Sequence, residues 1–365
     1  MIDSKNSPKF KASDGREIVL LPGWFDNRMK QGWPYDIKDF RTFVETCILS
    51  EKSYPDSAAF CINKLITADA MRSLVEESGY EFRGSERLLD LCTGPAVLPR
   101  VFKALGLCKE AYGVDVEDRS GAYSDDKLMS IWRESRDSTY QEADKYGLDI
   151  FQWYENINRM QTDVNNCFYL LFSIDDSKED CSMDGYDVSD LLSYEPNETF
   201  DVVTMTFGMD YFDIDEFFRK VSALMSVGGV FATVNDYCYE CFACAMHLPM
   251  DAPWLHVRVT KNDLFRYYDE FRPDIADVAR KAMYFPSLHI TIKDYMRAAK
   301  ENGLELCFYR RIINTDYVRD FLFTNPLIRD YFHDMVLPDS RVINRSVIAD
   351  DFFTRHLAMV FRKVR

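Results

Sequence analysis

Apolar residues fall along this chain in two alternating periods, and the switches between them lay out its elements. Leu88-Leu89-Asp90-Leu91 is a short run fitting a buried strand. Val97, Leu98, Val101, Phe102 and Leu105 then recur at helical spacing, closed by Gly106, and Ala111-Tyr112-Gly113-Val114 is a second apolar run ending in Asp115. Strand, tight turn, helix, strand is a βαβ unit. The alternation resumes downstream. Phe200–Met205 predicts a strand and Asp215–Met225 a helix. Gly228-Gly229 predicts a turn, and Val230–Val234 another buried strand. A helix within His289–Asn302 is stopped by Gly303; Leu304–Ile312 and Leu357–Phe361 read as the closing strands. The pattern predicts an α/β fold with a largely parallel sheet and helices on both faces.

Three stretches break the rhythm. Residues 1–80 read as a mostly helical front piece, an N-terminal extension or lid, with helix-like spacing over 38–50 and 56–79. Residues 81–365 form the main domain, with helical insertions at about 120–182 and 312–355. The first insertion is aromatic and acidic, and far longer than an ordinary connection before the strand at Tyr186-Asp187-Val188.

Composition narrows the classes. With 365 residues, 47% hydrophobic and 15% aromatic, the chain has the means for a substantial core. A net charge of −16 argues against a nucleic-acid partner, since a phosphate backbone would be repelled across most of the surface. No run approaches a membrane span, and the N-terminal residues lack the apolar core of a signal peptide. Ten cysteines in such a chain imply free thiols in a reducing compartment, with the cytoplasm as the expected location.

The βαβ unit carries the first candidate chemistry. A turn at Thr93-Gly94-Pro95-Ala96 opens the helix, and a carboxylate ends the second strand, where ribose hydroxyls of a nucleoside cofactor would sit. A dinucleotide would require G-x-G-x-x-G for its pyrophosphate, and residues 92–97 read C-T-G-P-A-V. A cofactor without phosphates suits this turn better.

These residues resemble a known family. Leu89–Ala96 is similar to the first motif, D-x-G-x-G-x-G, of the class I S-adenosylmethionine-dependent methyltransferases. Gly113-Val114-Asp115 resembles their second motif and Asp187–Leu191 their third. Phe200–Val203, running on to Thr206–Tyr211, resembles the fourth, and Gly228–Phe231 the turn and strand after it. Cys92 and Ala96 stand where the family usually has its first and third glycines; only Gly94 is kept. The resemblance implies a Rossmann-like, mostly parallel seven-stranded sheet and S-adenosyl-L-methionine as cofactor, with S-adenosyl-L-homocysteine as product. It also implies residue roles. Asp90 lies near the amino acid part of the cofactor, Cys92, Thr93 and Gly94 form the turn beneath it, and Asp115 with Val116 holds the ribose. Asp187 and Val188 flank the adenine, Thr206 adjoins the methyl-bearing side, and Asp210 and Tyr211 contact substrate. His247 and His256 are candidate general bases.

Beside these stand plainer readings: Asp90 as a turn cap, Tyr211 as a core aromatic, each histidine as structural. Cys238, Cys241, Cys244 and His247 form a C-x2-C-x2-C-x2-H row, but on a helix successive i+3 ligands rotate away from one another, so no metal is expected. The expected activity is methyl transfer to O, N or S of a small molecule. The alternatives are a protein or peptide acceptor, and a non-catalytic module that keeps the fold.

Overall fold

The computed structural model describes residues 7–22, 58–145, 181–237, 250–282, 288–313 and 326–365. The chain opens with an antiparallel ribbon, β1 (Lys9–Lys11) and β2 (Glu17–Val19). Helix α1 (Ala58–Glu77) follows, then the βαβ unit of β3 (Arg87–Leu91), α2 (Val97–Ala104) and β4 (Glu110–Asp115). Helix α3 (Asp125–Lys145) precedes β5 (Gly185–Val188), β6 (Phe200–Thr206), α4 (Ile214–Leu224) and β7 (Met225–Asp236). An additional layer contains α5 (Leu255–Arg258), α6 (Lys261–Phe271) and α7 (Ala276–Ala282). Then come α8 (Ile292–Glu301) and β8 (Leu304–Ile313), α9 (Pro326–Tyr331), a π-helical turn Phe332–Val336, α10 (Leu337–Ile343) and β9 (Thr354–Lys363).

The main sheet has seven strands in the order β5-β4-β3-β6-β7-β9-β8. Strands β5 to β7 are mutually parallel, and β9 runs antiparallel to both its neighbours. From β3 the chain winds outward to β5, then crosses back to β6 on the other side. This reversal leaves a crevice at the carboxyl ends of β3 and β6, where ligands of open α/β sheets bind.

The two-residue alternation divides the core. Leu88, Val202, Val230 and Ala232 face one side and pack with Ala68, Met71 and Val75 of α1, with α2, and with Leu128 and Trp132 of α3. Leu89, Leu91, Val203, Met205 and Phe231 face the other, against Phe217, Phe218 and Val221 of α4 and Tyr295, Ala298 and Ala299 of α8. A third cluster joins the ribbon, through Phe10, Ile18 and Leu20, to Leu264, Tyr267 and Tyr268 of α6 and to Ala279 of α7.

Two expectations change. The front piece is not helical throughout: residues 9–19 form the ribbon, whose Phe10 and Ile18 alternate inward at strand period. The predicted turn at Gly228-Gly229 lies inside β7, as an irregularity in the β6 pairing. Gly228 takes φ +86°, and a Cβ on Gly229 would meet the Asp201 carbonyl oxygen at 2.7 Å, so both glycines are required without ending the strand.

Candidate cofactor site

At the carboxyl end of β3 the backbone does something costly for ordinary residues. Cys92, Gly94 and Ala96 take φ of 52°, 54° and 54°, so three alternate residues of one turn are left-handed. These are the three glycine positions of D-x-G-x-G-x-G. Glycine adopts that conformation freely, whereas an L-residue with a Cβ carries roughly 1–2 kcal/mol of strain. Phe207, the first residue after β6, is left-handed as well, at φ 56°. Backbone strain persists only where surroundings impose it, and three of the four non-glycine cases among the described residues lie at these two strand ends.

The surroundings that impose it can be named. Asp115 Oδ2 accepts the Gly94 N–H at 2.8 Å, and its Oδ1 accepts the Glu117 N–H at 3.2 Å. The Tyr186 hydroxyl lies 2.8 Å from the Gly94 carbonyl oxygen and 2.9 Å from that of Glu117, pinning the turn to the end of β4. The Thr93 N–H donates to the Val114 carbonyl. Gly113 is glycine because the Thr93 methyl needs the room: a Cβ there would stand 2.6 Å from Thr93 Cγ2. A carboxylate has about four lone-pair sites, and the Gly94 and Glu117 N–H groups use two of those on Asp115, which leaves acceptor capacity on this side chain.

Asp90 lies on the α1/α2 face of the sheet, in line with Leu88. It is buried, and its Oδ1 accepts from the Thr204 hydroxyl at 2.8 Å. Burial pushes its pKa up to about 6, against the opposing pull of the Thr93 and Thr204 hydroxyls and the Lys64 ammonium. Burial, with Asp115 and Asp90 nearby, also pushes the Cys92 thiol up to about 12, so it remains a protonated, small filler.

The other expected cofactor residues gather along the same edge. Val116 and Val188, at the ends of β4 and β5, are 65% and 51% exposed, apolar surfaces left uncovered by the described residues; Asp187 beside them is exposed too. Thr206 ends β6 and is buried. Past it, Phe207 and Tyr211 are 50% and 58% exposed, with Asp210 half-buried between them and the short turn Met209–Tyr211. Tyr211 is thus no core aromatic. His256 is not brought to this edge: it is fully buried in α5, where its carbonyl oxygen contacts the His289 ring at 3.0 Å. His247 and the cysteine row at 238–244 lie outside the described residues. Among the described residues, no three His, Cys, Asp or Glu side chains group as a metal site.

Four residues at the site escape a reading by motif. Tyr186 fixes the turn, as above. Asn235, buried at the end of β7, accepts through Oδ1 from the N–H groups of Gly208 and Met209, at 3.0 and 3.4 Å, and so shapes the loop after β6. Its Nδ2 finds no partner among the described residues. His356 lies in the antiparallel strand β9 opposite Asp236, its ring centroid 5.8 Å from that of Phe207. Lys64 of α1 reaches Thr206 Oγ1 at 3.4 Å. A signal existed for Lys64 alone: it occupies the apolar stripe Lys64, Ala68, Met71, Val75.

No family model matches the chain, and no curated protein does. Solved structures do resemble it. An S-adenosylmethionine-dependent methyltransferase from Mesorhizobium loti aligns with 82% of this chain and 99% of its own, at 14% identity and TM-score 0.40. One from Clostridium acetobutylicum aligns with 88% and 97%, at 11% identity and TM-score 0.34. Geranyl diphosphate C-methyltransferase from Streptomyces coelicolor, solved with Mg2+, geranyl diphosphate and S-adenosyl-L-homocysteine, covers 87% of both chains at 12% identity and TM-score 0.38. At such values these are likenesses of outline, and the functional reading rests on the turn itself.

Proposed function

We propose that this protein is an S-adenosylmethionine-dependent methyltransferase acting on a small molecule. The single observation that carries the reading is the turn after β3. It holds left-handed backbone at each of the three motif positions, between a buried Asp90 and an Asp115 with acceptor capacity to spare, at the crevice where strand order reverses. That combination fits a nucleoside bearing a charged tail and no phosphate. Asp115 holds the ribose, Val116 and Val188 flank the adenine with Asp187 beside them, and Cys92, Thr93 and Gly94 form the floor.

When bound, the cofactor supplies an electrophilic methyl group on a sulfonium. The chain's own part is alignment and exclusion of water. Thr206 and the loop it begins, shaped by Asn235, face the reacting side. Phe207 and Tyr211 offer flat apolar surface to an acceptor, with Asp210 between them. Should the nucleophile arrive protonated, His356 is the histidine nearest this loop among the described residues, and it takes the general-base role in preference to the buried His256. The exposed aromatics at the mouth support a small, partly apolar acceptor over a polypeptide.

The reading is tested by melting the protein with S-adenosyl-L-homocysteine. A ligand at about 100 times its Kd adds about 2.7 kcal/mol to stability. Incubation with methyl-labelled cofactor and a fractionated extract then asks where the label goes. Label in the small-molecule fraction is expected. Label in polypeptide overturns the substrate class, and an unmoved melting curve overturns the cofactor.

A further inference from the structure

Helix α1 runs antiparallel to the parallel strands. Its late residues Leu74 and Val75 lie near the chain's entry into β3, and its early turns lie over the carboxyl ends of the sheet. Along its inner stripe, Ala68, Met71 and Val75 pack on Leu88, Val202 and Val230. One helical turn earlier the stripe continues with Lys64. The sheet beneath changes character at the same level. Leu88 gives way to Asp90 on β3, and Val202 to Thr204 and Thr206 on β6, all on one face by the two-residue period. An ammonium and a carboxylate, one from the N-terminal helix and one from the first strand of the sheet, are thereby set side by side at the mouth of an otherwise apolar layer.

Lys64 reaches the Thr206 hydroxyl at 3.4 Å, Asp90 accepts from the Thr204 hydroxyl at 2.8 Å, and each feels the other's charge. Together they offer opposite charges to a zwitterion: a carboxylate for an ammonium, an ammonium for a carboxylate.

We propose that Lys64 is a cofactor-positioning residue that binds the α-carboxylate of the cofactor's amino acid end while Asp90 takes its α-ammonium. This rests on the cofactor reading above. It makes α1 part of the site, so the segment before the βαβ unit contributes to binding as well as to packing. Burial lowers the Lys64 pKa and Asp90 raises it, so the ammonium is held by its neighbour and would be held further by a ligand carboxylate.

The test compares two ligands by calorimetric titration. S-adenosyl-L-homocysteine carries the zwitterionic tail; 5′-methylthioadenosine keeps the nucleoside and lacks it. Lys64→Met should weaken S-adenosyl-L-homocysteine by about 10- to 100-fold, the usual loss of a charged hydrogen bond, and leave 5′-methylthioadenosine within about twofold. Lys64→Arg should recover part of the loss. The nucleoside titration also reports an intact fold, and Lys64→Gln, which keeps length and polarity, should show the same split if the methionine variant is unstable. Equal weakening of both ligands would mean a structural role and overturn the proposal. So would unchanged S-adenosyl-L-homocysteine affinity in either neutral variant. Wild-type protein binding neither ligand would overturn the cofactor reading and take this proposal with it.

Discussion

Two regions of this molecule bury charge in opposite ways. In the layer formed by α5, α9 and α10, Arg258 is almost wholly enclosed. Its Nε and Nη2 donate to Asp339 Oδ2 at 3.1 and 2.7 Å, and its Nη1 to the Tyr331 hydroxyl at 2.6 Å. Asp263, under the ribbon, is equally well served. Burial alone would raise its pKa, yet hydrogen bonds from Ser13 and Thr260 and the charge of Arg266 bring it below the usual carboxylate value. At the crevice of β3 and β6, Asp90 is buried as deeply and accepts from the Thr204 hydroxyl, yet burial prevails and pushes its pKa up to about 6. Fully satisfied buried charge holds a structure together; incompletely satisfied buried charge is held ready for something else.

That contrast can be broken most forcefully at Arg258. Arg258→Met removes three hydrogen bonds from the buried layer and leaves Asp339 with Arg16 at 3.4 Å, so it should cost about 3 kcal/mol in denaturant unfolding, with ligand affinity of the folded protein unchanged. A loss below about 1 kcal/mol would erase the distinction between the regions.

The matching change at the crevice should act in the reverse sense. Because the native state raises the Asp90 pKa, it holds that proton more tightly than the unfolded chain does. The wild-type protein therefore loses stability as pH rises from about 4 through about 6. Asp90→Asn removes the penalty: urea unfolding at pH 7 should show a gain of roughly 3 kcal/mol that vanishes near pH 4, alongside weakened S-adenosyl-L-homocysteine binding. A destabilised variant at pH 7 would show Asp90 to be structural after all.

Smaller effects sharpen the account of the turn. Gly113→Ala should cost about 1–3 kcal/mol through its clash with Thr93 Cγ2, and Thr93→Ser should relieve part of that cost in a double-mutant cycle. Strict additivity would mean the two do not meet. Ala96→Gly should be nearly neutral, since about 1 kcal/mol of relieved strain offsets about 0.8 kcal/mol of lost methyl burial. A loss above about 2 kcal/mol would show that the left-handed position carries no strain.

The sheet was legible wherever burial on both faces wrote long apolar runs. Leu88–Leu91, Phe200–Met205 and Val230–Val234 all appear as strands of the main sheet. Residues 9–11 and 17–19 were not legible, because a three-residue strand with one inward side chain has too few positions to show a period. Gly228-Gly229 misled for a physical reason: the same backbone freedom that makes turns permits an irregularity inside a strand. In the site, Asp90, Asp115 and the turn between them were readable because a βαβ unit is local in sequence. Asn235, Tyr186 and His356 were not, since their partners lie 26 to 149 residues away in the chain and only the sheet order brings them together.

The most direct test of the central claim is the binding of S-adenosyl-L-homocysteine to wild-type and Asp115→Ala protein, measured by equilibrium titration. One equivalent should bind the wild-type chain. The variant, which loses the proposed ribose acceptor and the carboxylate holding Gly94, should bind at least about tenfold more weakly. No binding to the wild type, or equal affinity in both proteins, would contradict the assignment of this turn as a cofactor site.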